Sequence, residues 1–328
     1  MSASPTSAGR RGLRLVTARR STERSRGDAI LRGLCILAGL AAAFVLAEIA
    51  YQIINGARPA ISKFGLGFLG HATWAPNLGH FGAAEMLFGT AVTSAIAMVI
   101  AVPLAVSIAL YLALFAPGPV RAVVGPLVEM LAAIPSVILG FWGILFLAPF
   151  VQAHVEPFLH DTFGFLPIFG SPATTGLSIF TAGIILTVMV VPIIASLSRD
   201  LFLTVPREMK DGAEALGCTP WEMIRGVVLP STVSGVVAAC SLGLGRALGE
   251  SIAVASVIGG GNLIHGNLFE TGNSLAGRIA LDIQYYVSTL QLNSIFYLAL
   301  LLLVMGVLTN LAARMIASRY DVSSRTVI

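Results

Sequence analysis

Two ionisable side chains sit where a chain this apolar can least accommodate them. The run Gly243-Leu-Gly-Arg-Ala-Leu-Gly-Glu-Ser-Ile252 puts Arg246 and Glu250 four residues apart, on one face if the run is helical. A charge in the middle of a membrane helix costs about 2.5–3.5 kcal/mol on insertion scales, so such a group faces a bundle interior or a wet cavity and has a partner. Two roles compete. The pair can be a mutually neutralised element of helix packing, or it can flank a solute path. In the second role Arg246 offers a planar guanidinium fork to an oxyanion. Glu250 then competes with the anion and keeps its binding weak enough for release. Glu129, just before Pro135, is a third candidate, as a partner of Arg246, a residue lining the path, or an acid near the cytoplasmic face. Asp282 reads as a surface residue of an external helix, at a face open to docking.

Other chemistries find little support. The histidines, His71, His80, His154, His160 and His265, are scattered over segments read as external loops. Cys35, Cys218 and Cys240 are odd in number and show no CxxC spacing, so neither a disulfide framework nor a metal site is expected. The lysines are Lys63 and Lys210, and neither follows a glycine as a phosphate-binding loop requires, so no Walker ATPase is expected here. The GxGxxxG in the Arg246 run lacks the preceding strand of a dinucleotide site. No catalytic residue, metal or cofactor is assigned.

The elements that must position these residues follow from composition. The 328 residues are 56% hydrophobic and 11% charged, with a mean hydropathy of +0.87. A soluble domain carries roughly 25% charged residues. Lipid is therefore the expected solvent for most of the chain. Apolar runs long enough to span are 29–54, 86–116, 120–153, 174–197, 231–258 and 293–317, separated by a polar external segment (55–85) and a cytoplasmic loop (198–230). The run 29–54 is too long for a signal-peptide core and reads as an uncleaved span. Arg10, Arg11, Arg14, Arg19, Arg20, Arg24, Arg26 and Arg32 crowd the first 32 residues, and a tail follows at 318–328. With the basic segment 1–28 inside, the cytoplasmic pieces gain Arg121, Arg199, Arg207, Lys210, Arg225, Arg314, Arg319 and Arg325, while the outside holds Arg58, Lys63 and Arg278. That asymmetry predicts an all-α membrane protein with six transmembrane helices and both termini cytoplasmic. Pro103, Pro135 and Pro192 fall inside predicted spans and can kink them.

The cytoplasmic loop holds the most structured local signal. Pro206 suits the first turn of a helix and Gly217 its end, with Met209, Ala213 and Leu216 on one apolar face. Thr219-Pro-Trp-Glu222 fits a capping box that starts a second helix, and Pro230 is expected to break the chain before the fifth span. A short amphipathic helix on the cytoplasmic side suits docking into a groove of a soluble partner; a plain solvated hairpin is the alternative.

This loop resembles the EAA loop of ABC importer permeases, E-A-A-x3-G-x9-I-x-L-P. Asp211, Gly212, Ala213, Gly217, Val227, Leu229 and Pro230 match its spacing, with Asp for Glu, Gly for the first Ala and Val for Ile. A wider similarity runs from about Ile61 to Arg319. It is carried by Lys63-Phe-Gly-Leu-Gly-Phe-Leu69, Gly89-Thr-Ala-Val-Thr-Ser94, Glu129-Met-Leu-Ala-Ala-Ile-Pro-Ser136, Gly217-Cys-Thr-Pro-Trp-Glu222 and Gly243–Glu250. These runs resemble the PstC-type family of phosphate permease subunits. The resemblance implies a type I ABC importer permease fold in the bacterial inner membrane, moving inorganic phosphate. It also implies a PstA-type second permease, a PstB-type ATPase dimer gripping the EAA loop, and a PstS-type periplasmic phosphate-binding protein. Sulfate or molybdate permeases of the same fold are the alternative, and an ATP-independent channel or membrane enzyme is a more distant one. The Arg-rich head lies outside the resemblance.

Overall fold

The computed structural model describes residues 26–264 and 266–320. The arginines before residue 26, His265, and the tail beyond residue 320 with Arg325 lie outside the described residues. Apart from three single turns at Gly67–Gly70, Pro76–Leu78 and Pro167–Phe169, the helices among the described residues are α1 (Arg26–Phe64), α2 (Ala84–Phe115), α3 (Gly118–Ala132), α4 (Ser136–Phe163), α5 (Ile179–Thr204), α6 (Arg207–Ala215), α7 (Pro220–Gly249), α8 (Ile252–Val257), α9 (Leu275–Asp282) and α10 (Thr289–Tyr320). Six of them, α1, α2, α4, α5, α7 and α10, are long and apolar enough to cross a bilayer. No strand forms among the described residues.

The described residues fall into two units that divide between Gln52 and Ile53. In the first, every side chain from Gly27 to Ile49 is exposed. An exposed apolar helix of this length has the hydrocarbon core of a bilayer as its natural solvent. In the second unit α5 is the central helix. Ser178 caps it by accepting from the Thr181 amide at 3.2 Å. Ala97, Ala101 and Ala105 of α2 are buried in one cluster with Ile185, Leu186, Met189, Val190 and Ile194 of α5. Lipid tails are as apolar as these side chains, so close van der Waals fit rather than water exclusion must hold the helices together. The glycines show that fit. A Cβ at Gly183 would lie 2.6 Å from Ile96, one at Gly235 would lie 2.7 Å from Leu201, and one at Gly243 would lie 2.8 Å from Val190. These contacts seat both α2 and α7 closely against α5.

Several expected boundaries move, each for a local reason. The run 120–153 is not one helix. Pro135 is extended (φ −58°, ψ 134°), and α3 ends at Ala132 before α4 begins at Ser136. A residue before proline is pushed out of the α region, which favours a break there. The span therefore shifts to α4, which carries His154 and His160 within the helix rather than in an external loop. The segment 55–85 begins as helix, because α1 continues to Phe64. Ala57 and Ala60 are fully buried there, and a Cβ on Gly56 would lie 2.6 Å from the Phe296 ring. Small residues thus turn a polar-looking stretch into a packing surface. Pro230 does not break the chain. The helix runs from Pro220 to Gly249, with a π turn at Ile224–Val228 just before the proline. A widened turn accommodates a missing backbone donor without ending the helix.

Candidate functional site

The elbow between α6 and α7 is built from its caps. Gly217 takes φ +83°, with its amide donating to the Glu214 carbonyl at 2.9 Å and the Cys218 amide to the Ala213 carbonyl at 3.1 Å. These two bonds make a Schellman motif, which turns the chain sharply at the end of α6. Two residues later the capping box forms. The Thr219 hydroxyl accepts from the Glu222 amide at 3.4 Å, and the Glu222 carboxylate accepts from the Thr219 amide at 2.8 Å. The turn between α6 and α7 is thus closed by hydrogen bonds on both sides.

The elbow is also anchored to the bundle. Ala213, Met223 and Val228 are buried in one cluster with Ala109 and Ala113 of α2 and with Phe202 and Val205 at the end of α5. Val227 and Leu229 pack against that cluster. Lys210 donates to the Phe202 carbonyl at 3.2 Å, tying α6 to the open end of α5. Burial, with the adjacent Arg207 charge, pulls the Lys210 ammonium below its usual range. Arg121 donates to the Leu112 and Ala113 carbonyls at 2.8 and 3.0 Å and so closes the end of α2. Asp211 lines a cleft of about 590 Å³ with Arg121, Arg207 and Lys210.

The expected apolar face of α6 divides. Ala213 turns inward, whereas Met209 and Leu216 point away from the chain, Leu216 being 87% exposed and Trp221, in the first turn of α7, 64% exposed. Gly212 is exposed, and a Cβ there would meet nothing within 4 Å.

The second feature is a cavity of about 730 Å³ between α7 and α10, closed on one side by Ile193 of α5. Ala238, Ser241, Leu242, Gly245 and Arg246 line it from α7, and Asn310, Ala313, Arg314 and Ala317 from α10. Arg246 makes no hydrogen bond or ion pair among the described residues, so its donors are free to face this space.

The expected Arg246–Glu250 pair does not form. α7 ends at Gly249, and Glu250 is extended (φ −71°, ψ 120°), so the four-residue spacing no longer describes one helical face. Glu250 is also absent from the cavity wall. Glu129 does not reach Arg246 either. It pairs with Arg199 at 2.8 Å, and Arg199 bonds Asp200 at the same distance, clamping α3 onto α5. Asp282 is half-buried rather than fully at the surface: its carboxylate accepts from Trp74 Nε1 at 2.7 Å and from Arg278 Nε at 3.1 Å.

Two buried acids carry structure that the sequence did not signal. Glu85, at the start of α2, is 2% exposed; one of its oxygens accepts from the Asn273 amide and the other has no partner. Beside it the Leu275 amide donates to Thr90 Oγ1 at 2.8 Å. Glu156 is fully buried in α4 and accepts from the Ala173 amide at 2.9 Å. Glu85 holds a loop 188 positions away and Glu156 one 17 positions away, and such pairings leave no local pattern to find.

The comparisons with known proteins agree with this architecture. Residues 101–322 match the family described as "Binding-protein-dependent transport system inner membrane component". The phosphate transport system permease protein PstC of Mesorhizobium japonicum is 39% identical over 298 residues, covering 90% of this chain and 91% of the relative. The PstC of Pasteurella multocida is 40% identical over 280 residues, covering 84% and 87%. Among solved structures, a bacterial alginate ABC transporter in complex with its alginate pentasaccharide-bound periplasmic protein superposes with a TM-score of 0.56 at 17% identity, over 88% of this chain and 97% of that one. An inward-facing MetNI methionine ABC transporter gives 0.50 at 24% identity, over 73% and 94%. These structures share the type I importer permease fold. The chain belongs to the binding-protein-dependent inner-membrane components of ABC transporters, on their PstC-type branch, and is a multi-pass protein of the inner membrane.

Proposed function

We propose that this chain is a permease subunit through which an ABC importer moves inorganic phosphate inward, and that a separate ATPase drives it by gripping the elbow of α6 and α7. The observation that carries this reading is the continuity of the elbow with the span. Asp211, Gly212, Ala213, Gly217, Val227, Leu229 and Pro230 lie on a hydrogen-bonded turn that runs straight into α7, and α7 bears Arg246 on the cavity. A force applied at α6 is therefore delivered to the helix that holds the free guanidinium. Leu216 and Trp221, exposed beside a well-ordered turn, supply the apolar anchors that a groove on a soluble partner takes up.

The solute assignment rests on the PstC relatives and on the charge of the cavity. The remaining subunits follow from the family: a PstA-type second permease, a PstB-type ATPase dimer and a PstS-type periplasmic binding protein. Closure of the ATPases would swing the elbow and switch the bundle between outward and inward access as a rigid-body change. Specificity for phosphate over sulfate would be set largely at the binding protein.

Co-purification from membranes, combined with radiolabelled uptake, tests this. The complex is expected to carry an ATPase subunit and to import phosphate in preference to sulfate and molybdate. Loss of neither activity in a Gly217→Asp variant would count against the elbow, and preferential sulfate uptake would count against the solute.

A further inference from the structure

The cavity that Arg246 faces contains a second cation. Arg314 projects from α10 into the same space, and the lining residues otherwise offer Ser241, Asn310 and apolar side chains, with no carboxylate among them. The charge pattern of the sequence assigns Arg314 to the cytoplasmic excess of positive residues, where a long side chain can snorkel to the headgroups. The structure leaves Arg314 exposed and also places it on the wall of this cavity. Arg314 Nε donates to Asn310 Oδ1 at 3.3 Å, one helical turn back on the cavity wall. That bond occupies one of the five guanidinium donors and leaves the outer fork unpaired.

Arg246 and Arg314 are both exposed, and two guanidinium groups on one cavity wall repel each other. No acid on the wall relieves it. Glu250, the expected counter-charge, is off the helix, and Glu129 is held by Arg199. The arrangement is complementary to a mobile anion bearing several oxygens, for which a pair of forks from opposite helices forms a clamp.

Resting on the phosphate reading given above, we infer that Arg314, oriented by Asn310, is the second anion-binding residue of the path, and that the solute is held between α7 and α10. This removes the need for an internal competitor to permit release. α7 is continuous with the elbow and α10 is not, so movement of the elbow alters the separation of the two arginines. The clamp is tight when they are close and loose when they part.

The test uses the complete importer, with all partner subunits and the binding protein, in proteoliposomes. Uptake of inorganic phosphate and of sulfate is measured beside ATP hydrolysis stimulated by the binding protein. Arg314→Gln is expected to lower phosphate uptake about tenfold, the loss of about one charge-assisted hydrogen bond. Stimulated ATP hydrolysis should stay within about twofold of the unaltered complex, because the elbow is untouched. Arg314→Lys should recover part of the uptake by restoring charge without the fork. Arg319→Gln, which alters a basic residue outside the cavity, should have no effect. If Arg314→Gln fails to assemble, Asn310→Ala is read instead, with a loss of about threefold expected from a misdirected guanidinium. Normal uptake by Arg314→Gln, or by Asn310→Ala where that variant is the one read, overturns the inference, as does equal loss in the Arg319→Gln control. Should the unaltered complex carry sulfate and not phosphate, the solute reading fails alone, and the same variants judge the clamp with sulfate. A complex that carries neither overturns both.

Discussion

The two ends of α7 behave in opposite ways. At its elbow end three expected local devices are present: Gly217 in the left-handed region, Thr219 and Glu222 in a reciprocal cap, and Pro220 in the first turn. At its far end the expected helix stops short. Gly249 closes it, Glu250 turns away, and a new short helix starts at Ile252. The caps of the elbow end are made by bonds between residues within five positions of each other. The far end is governed by packing of α8 against α4, where a Cβ on Gly140 would lie 3.3 Å from the Ala253 Cα. In the function proposed above, an elbow that receives force would gain from being stiff by local means, whereas the rim of a path would be shaped by whatever it must fit against.

The difference can be broken at either end. The largest effect is expected from Arg246→Gln. Removing both donors of an unpaired fork should lower phosphate uptake by about a hundredfold with the complex still assembled, on the basis of about 1.5–3 kcal/mol for a hydrogen bond to a charged group. Uptake by proteoliposomes at matched protein levels checks it, and undiminished transport would remove Arg246 from the path. Next comes the elbow. Gly217→Val forces a β-branched residue into φ +83°, where left-handed backbone alone costs about 1–2 kcal/mol. Recovery of the ATPase subunit with the purified permease should fall about tenfold, and recovery unchanged would mean that the turn bears no load.

Gly212→Ala should do the reverse on a smaller scale. The added methyl meets nothing, and Ala is favoured over Gly in a helix by about 1 kcal/mol. Thermal unfolding of the detergent-solubilised complex should move slightly upward while uptake holds; a drop in either would show that Gly212 is needed for a contact with the partner. Glu250→Gln should change least. With Glu250 off the helix and off the cavity wall, uptake is expected to stay within about twofold of normal. A loss comparable to that of Arg246→Gln would restore the paired reading that the spacing suggested.

What was legible in the sequence follows the same division. The number of spans came from the lengths of apolar runs, and the caps from residue types whose effect is local. Pro135 and Pro230 look alike in sequence, yet Pro135 ends a helix and Pro230 is absorbed by a π turn. The difference is set by packing: Val228 is buried between α2 and α5 and holds its turn in line, while no such cluster grips Ile134. Arg314 was read as a topological charge because sequence carries no sign that α10 lies against Arg246. Glu129 was visible as an unusual acid, but its partner Arg199 lies 70 positions away and gave no signal of the pairing. Asp282 went the same way, since Trp74 lies 208 positions from it.

The central claim is that the elbow before α7 lies in the cytoplasm and is covered there by the motor. The direct measurement replaces Cys35, Cys218 and Cys240 by serine, introduces Leu216→Cys, and applies a membrane-impermeant thiol reagent. The account predicts no labelling from outside intact cells, ready labelling in inverted vesicles stripped of the ATPase subunit, and protection when that subunit is restored. Labelling of Leu216→Cys from the outside of intact cells would contradict it.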